Sequence, residues 1–256
     1  MDRTIPIKAF SDNYIWLLHD AAERLAVVVD PGAAEPVREE LERRGMTLAG
    51  ILVTHHHPDH VGGVRELLEH FPVPVYGPAQ ESIPGLTDPL GEGDTVALEA
   101  LDLHFTVLDV PGHTAGHIAF YGEGMLFCGD TLFAGGCGRL FEGTPAQMHA
   151  SLSKLSSLPK TTRVYCAHEY TEANLRFASQ VESDNRALQK RLDKVRRQRR
   201  NNEITVPSTI EEELATNPFL RVNQQSVIEA AERYGNKTLS SPTEVFATVR
   251  SWKDAS

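Results

Sequence analysis

No stretch of this 256-residue sequence approaches the roughly 20 consecutive apolar residues that cross a bilayer as a helix. The start, Met1-Asp2-Arg3-Thr4-Ile5-Pro6, also lacks the run of about 7–15 apolar residues that marks a secretory signal. Cysteine is scarce. Cys128, Cys137 and Cys166 are odd in number and form no CxxC pair, which argues against a disulfide framework or a cysteine zinc site. These absences point to a reducing cytosol. An excess of cations is missing too. The formal net charge is −10, so the body offers no long-range pull toward nucleic acid or an anionic membrane. The sequence has no internal repeat and no low-complexity segment. Hydrophobic residues make up 41 %, enough for an ordinary packed core, and the length allows a large domain with a smaller one.

Hydrophobic patterning divides the chain near His168. Before it, strands are expected over Ile5–Phe10, Tyr14–His19, Leu25–Asp30, Gly50–Thr54, Val73–Tyr76, Thr95–Leu98, Leu103–Asp109, Ile118–Tyr121, Met125–Cys128 and Arg163–Ala167. Helices are expected over Glu35–Arg44, around Val64, Leu67, Leu68 and Phe71, and over Pro145–Ser156. After it the pattern is helical. A helix runs from Glu172 to Arg200 with a break near Ser183-Asp184-Asn185. Ser208 with Glu211 reads as a capping box, and Ser241-Pro242-Thr243-Glu244 opens a last helix to about Lys253. The expectation is an α/β domain over 1–168 and an all-helical domain over 169–256. The basic run from Lys190 to Arg200 alternates with Leu192 and Val195, so it reads as the wet face of an amphipathic helix.

The decisive stretch follows a buried strand: Thr54-His55-His56-His57-Pro58-Asp59-His60. In extended or turning backbone, alternate side chains point the same way, so His55 and His57 can share one metal. Asp59 and His60 come after a turn and can reach a second. His56 has the wrong parity and reads as a bystander. Gly62 and Gly63 let the backbone leave the site tightly. Three further candidates sit just past strands: His113, Asp130 and His168. Strand ends at one rim are where distant parts of a chain assemble a site. A lone histidine is ordinarily a hydrogen-bonded or exposed residue, and His19, His70, His104 and His149 are read that way. His117 is also read so, although it lies nearest the site and could support a ligand. Bunched imidazoles and carboxylates beside apolar strands are different, because they are costly to bury without a partner. Such ligands suit zinc, and also iron or manganese.

The spacing H-x-H-x-D-H, then a single His, an Asp and a last His, resembles the metallo-β-lactamase superfamily. Within it, the chain resembles the glyoxalase II family of hydroxyacylglutathione hydrolases. The stretch Gly135-Gly136-Cys137-Gly138-Arg139-Leu140-Phe141-Glu142-Gly143-Thr144 carries the most specific likeness. The resemblance implies an αβ/βα sandwich followed by a helical, glutathione-binding domain. It implies that His55, His57 and His113 hold one divalent ion, that Asp59, His60 and His168 hold another, and that Asp130 bridges both together with a water or hydroxide. The ions would be zinc, with iron or manganese as alternatives. Asp30 resembles an early aspartate that supports a ligand histidine, although Asp30-Pro31-Gly32 also reads as a simple turn.

The implied reaction is hydrolysis of the thioester of an S-(2-hydroxyacyl)glutathione such as S-D-lactoylglutathione, as in the second step of methylglyoxal detoxification. Asp130 and Asp59 are the catalytic carboxylates of that reading. Arg139, Phe141, Tyr170, Arg250 and Lys253 match the positions that line the peptide. Arg250 and Lys253 lie three apart on the last helix and so share a face. The implied enzyme is a cytoplasmic monomer with a small-molecule substrate and no nucleic-acid or membrane partner. Fold alone does not choose among the superfamily's activities. The principal rival is a glutathione persulfide dioxygenase, which needs one iron held by two histidines and one carboxylate.

Overall fold

The structure is a computed structural model, and it describes residues 3–256. By Cα proximity the chain forms two compact units. One runs through Asp109 and takes in Gly116–Gly129. The other comprises Val110–Ala115 and Asp130–Ser256.

The first unit begins with a six-stranded sheet in chain order: β1 (Thr4–Ala9), β2 (Asn13–His19), β3 (Leu25–Val29), β4 (Thr47–Leu52), β5 (Val75–Pro78) and β6 (Asp88–Leu90). The first three strands are antiparallel, and β3 to β6 run parallel. Parallel neighbours need a crossover. Helix α1 (Glu35–Arg44) makes the one from β3 to β4, and Gly45 ends it in the left-handed conformation at φ 67°. The short α2 (Pro58–Val61) and then α3 (Val64–His70) make the next. Every residue of β2 is buried, as befits a strand covered on both faces. The pairing Val29↔Leu52 brings the ends of β3 and β4 level, so Asp30 and the histidine run leave the sheet at the same rim.

The same unit holds an antiparallel meander of β7 (Thr95–Leu98), β8 (Leu103–Asp109), β9 (Ile118–Gly122) and β10 (Met125–Gly129). In β8, Leu103, Phe105 and Val107 point inward while His104 and Thr106 face out, the two-residue period of a half-buried strand.

The second unit carries a small hairpin, β11 (Leu132–Phe133) with β12 (Gly136–Cys137), and the pair β13 (Arg163–Cys166) with β14 (Ser208–Thr209). Around them lie α4 (Pro145–Ser156), α5 (Thr171–Val181), α6 (Arg186–Arg200), α7 (Ile210–Thr216), α8 (Gln225–Gly235) and α9 (Pro242–Asp254). Thr144 and Gln147 close a capping box on α4. Asn185 caps α6, which is the physical cause of the break between α5 and α6.

Three local expectations need correction. Ser208 does not open a helix, because it pairs with Val164 in β14; Thr209 is the cap of α7 and accepts from Glu212 N. Helix α8 escapes a sequence reading because no side chain caps its start, although it buries Val227, Ala230 and Ala231. The basic run is not wholly a wet face. Arg191 turns inward, where it donates to Glu213 Oε1 at 2.6 Å and to Thr216 Oγ1 at 2.6 Å.

Removing one partner of a buried ion pair strands the other. Arg191→Ala is therefore expected to destabilise the protein by about 3–5 kcal/mol, read as a lower urea midpoint; a midpoint equal to wild type would contradict the buried pairing.

Candidate functional site

In the first unit the histidine run follows β4 and enters α2, with Pro58 at the helix's first turn. Gly62 and Gly63 are there for close approach. A Cβ on Gly62 would lie 2.6 Å from the Gly32 carbonyl oxygen, and one on Gly63 would lie 2.5 Å from the Ala33 carbonyl carbon. Asp30 adopts φ 54°, a left-handed conformation that aspartate tolerates better than most residues. Its carboxylate accepts from Thr54 N at 2.8 Å and from Thr54 Oγ1 at 2.8 Å. Its Oδ2 also lies 3.0 Å from His60 Nδ1. The turn and the support of a ligand histidine, open alternatives in the sequence, are thus both present.

These contacts settle where ring protons sit. The single hydroxyl proton of Thr54 goes to Asp30, so Thr54 Oγ1, 3.1 Å from His55 Nδ1, can only accept there. His55 then carries its proton on Nδ1 and presents a lone pair at Nε2, which faces His57 Nδ1 at 3.1 Å. In His60 the nearby Asp30 carboxylate favours the proton on Nδ1. Its Nε2 lies 3.5 Å from Asp59 Oδ2, an oxygen that also accepts from Asn13 Nδ2 at 2.9 Å. His117 is fully buried and stacks on His55 at 4.5 Å.

The second unit repeats the logic. His113 Nδ1 donates to the Arg139 carbonyl at 2.7 Å, which leaves Nε2 as the lone-pair nitrogen. That nitrogen lies 3.4 Å from Asp130 Oδ2, and His168 Nε2 lies 3.4 Å from Asp130 Oδ1. Asp130 and His168 sit just beyond β10 and β13. In both units, then, imidazole lone pairs face carboxylate oxygens. Two acceptors repel, whereas a divalent cation satisfies both. The donor set fits a metal on this ground. His55, His57, Asp59 and His60, and likewise His113, Asp130 and His168, all fall in groups of side chains able to hold a metal ion; His56 does as well.

The residues expected to line a substrate all lie in the second unit. Tyr170 stacks on His168 with ring centroids 4.6 Å apart, and Phe133 meets both rings edge-on. Phe141 is largely exposed and presents its edge to His113 at 5.3 Å. Arg139 is exposed, with Nε 3.5 Å from Asp254 Oδ1. Lys253 is half-buried over the Phe177 ring, and burial together with the neighbouring Arg250 charge lowers its pKa below the ordinary lysine range. Arg250 differs from the surface cation that its place in the sequence implies. It is buried against the Phe219 ring, donates from Nη1 to the Cys137 carbonyl at 3.0 Å, and donates from Nη2 to Asp254 at 3.0 Å.

Sequence reasoning missed Asn13, Thr54, Asn174, Glu213 and Asn217. The last three clamp the glycine-rich hairpin. Glu213 accepts from Gly135 N, Asn217 donates to the Phe133 and Gly136 carbonyls, and Asn174 donates to the Ala134 carbonyl. No spacing rule marks them, since each acts on a backbone group more than 35 positions away. For Thr54, its place beside the histidine run was the available signal.

Comparison with known proteins agrees with this picture. Residues 11–168 match the metallo-β-lactamase superfamily, and residues 169–256 match the hydroxyacylglutathione hydrolase C-terminus. A hydroxyacylglutathione hydrolase of Alkalilimnicola ehrlichii is 59 % identical, with 100 % of both chains covered. One from Pseudomonas aeruginosa is 55 % identical, with 97 % of each covered. Among solved structures, ETHE1 from Myxococcus xanthus aligns over 100 % of this chain and 99 % of its own, at 25 % identity and a TM-score of 0.66. A protein crystallised in a di-iron-bound form aligns over 84 % of this chain and 100 % of its own, at 29 % identity and a TM-score of 0.60.

Burial pushes the thiol of Cys137 up to about 11 and that of Cys166 up to about 12. A raised pKa keeps the thiol protonated below that value, so at pH 8 only about one Cys137 in a thousand would be thiolate. Native protein treated with iodoacetamide at pH 8 is expected to show neither cysteine alkylated by mass spectrometry; rapid labelling of Cys137 would refute a merely packed role.

Proposed function

Since this chain belongs to the hydroxyacylglutathione hydrolase family of the metallo-β-lactamase superfamily, we infer that it hydrolyses the thioester of S-(2-hydroxyacyl)glutathiones, S-D-lactoylglutathione giving D-lactate and glutathione. The observation that carries the chemistry is Asp130, whose two carboxylate oxygens each face the Nε2 of a different histidine. That is what a carboxylate shared by two cations requires. The divalent metal bound by this His and Asp set would be a pair of ions, zinc in the first instance and iron or manganese otherwise. His55, His57 and His113 would hold one ion, Asp59, His60 and His168 the other, and Asp130 both. A relative crystallised in a di-iron-bound form supports the count of two.

When bound, such ions supply an acidified water and polarise the thioester carbonyl. The chain's own residues do the rest. Asp30, Thr54 and the Arg139 carbonyl hold the imidazoles in the tautomers that ligate. Asn13 fixes the Asp59 carboxylate, the second catalytic carboxylate of this reading. The departing thiol has a pKa near ~8.5, so it leaves as thiolate without a strong general acid.

Glutathione's carboxylates would be met by Arg139 and Lys253, with Tyr170 and Phe141 against the peptide and Arg250 acting from below. Lys253 supports this most directly. A cation lowered by burial and by a neighbouring cation gains from an incoming carboxylate on both counts. The setting is a reducing cytosol and a single chain, supported by three buried cysteines that form no disulfide. No helix among the described residues is long and apolar enough to cross a membrane. The rival dioxygenase reading needs only two histidines and one carboxylate on one iron, fewer donors than the seven available here.

Hydrolysis of S-D-lactoylglutathione, measured alongside total metal, tests the reading. Thorough chelation is expected to abolish turnover, and restoring divalent metal to recover it. Asp130→Ala is expected to lower kcat at least about 100-fold. Lys253→Ala should raise KM several-fold with kcat within about two-fold, the signature of lost uniform binding. Full activity in metal-free protein would end the metal reading, and an unchanged KM in Lys253→Ala would end the glutathione site.

A further inference from the structure

We propose that Glu81 is a positioning residue for the histidine run, a carboxylate that fixes the direction of His55 and His57 by gripping the residue between them. The inference rests on reading those two histidines as metal ligands. Glu81 follows β5 on the connection to β6, and its side chain is 4 % exposed. Its Oε2 accepts from the backbone N–H of His56 at 2.6 Å and lies 2.9 Å from His56 Nδ1, which donates to it. Its Oε1 accepts from Gly116 N at 3.0 Å. One buried carboxylate therefore holds two separate segments of the first unit.

The geometry explains why this matters. His55 and His57 flank His56, and alternate side chains share a direction only while the intervening peptide keeps its orientation. Fixing both the N–H and the ring of His56 leaves that peptide little freedom. The second grip acts from the other side, since Gly116 directly precedes His117, whose ring stacks on His55. The approach is close. A Cβ on Gly116 would come within 2.6 Å of Glu81 Cγ. His56, which parity marks as a bystander, is thus the handle by which the run is held. Partners that orient ligands commonly change metal affinity by about 10–100-fold when removed.

The test uses the full chain loaded with zinc. Zinc release to a chromogenic chelator is followed for wild type, Glu81→Ala and Glu81→Gln, and the visible spectrum of the cobalt-substituted forms reports ligand geometry. Release about 10–100-fold more favourable in Glu81→Ala, with an altered cobalt spectrum, is the expected result. Glu81→Gln should fall between, because its amide keeps one accepting oxygen and turns a donor toward a donor. Should the alanine variant fail to fold, the glutamine variant decides. Release and spectrum equal to wild type in the folded variants would overturn the proposal. A wild type that retains no metal would instead sink the ligand reading, and this inference with it.

Discussion

Imidazole is a metal ligand only when a lone pair, not a proton, points at the metal, and this constraint organises both halves of the centre. In the first unit, Asp30 takes the Thr54 hydroxyl proton, which obliges Thr54 to accept from His55. In the second, a backbone carbonyl that can only accept takes the Nδ1 proton of His113. Each contact turns Nε2 into the electron-pair donor. The carboxylates of Asp59 and Asp130 face such nitrogens at 3.4 to 3.5 Å, too long for hydrogen bonds and suited to a shared cation.

The fold serves that constraint by where its strands end. Level ends of β3 and β4 put Asp30 beside Thr54. The left-handed backbone of Gly129 at φ 45° lets β10 finish against Thr54 and His117, where a Cβ would stand 2.3 Å from Thr54 Oγ1. In the second unit, buried Glu213 and Asn217 hold the hairpin that carries Phe133, and Phe133 flanks the stacked pair His168 and Tyr170. The ion pair with Arg191 keeps Glu213 charged in a place where an uncompensated carboxylate would be costly.

The substrate side follows a different economy of charge. Three cations gather near the end of α9, and one of them, Arg250, is committed to the Cys137 carbonyl and Asp254. Its burial makes it a strut that holds the family's glycine-rich stretch to the last helix. Arg139 and Lys253 are left closer to solvent, and Lys253 is already disfavoured as a cation by its surroundings. A protein of net charge −10 that still binds an anionic peptide needs such a local concentration of positive charge.

The sequence by itself determined a great deal here, because the most informative signals are local. Strand and helix periods, the glycine after α1, and the capping at Thr144 and Ser241 are all written within a few residues of where they act. The spacing of His55, His57, Asp59 and His60 announces a metal ligand set for the same reason. Only tertiary structure decided which ring nitrogen of each histidine is free, since Asp30, Arg139 and Glu81 act across 24 to 35 positions of chain. It also decided that Arg191 and Arg250 turn inward, which no helical period distinguishes from a solvated cation. Local propensity and spacing are properties of neighbouring residues, whereas proton direction and burial depend on what the folded chain brings alongside.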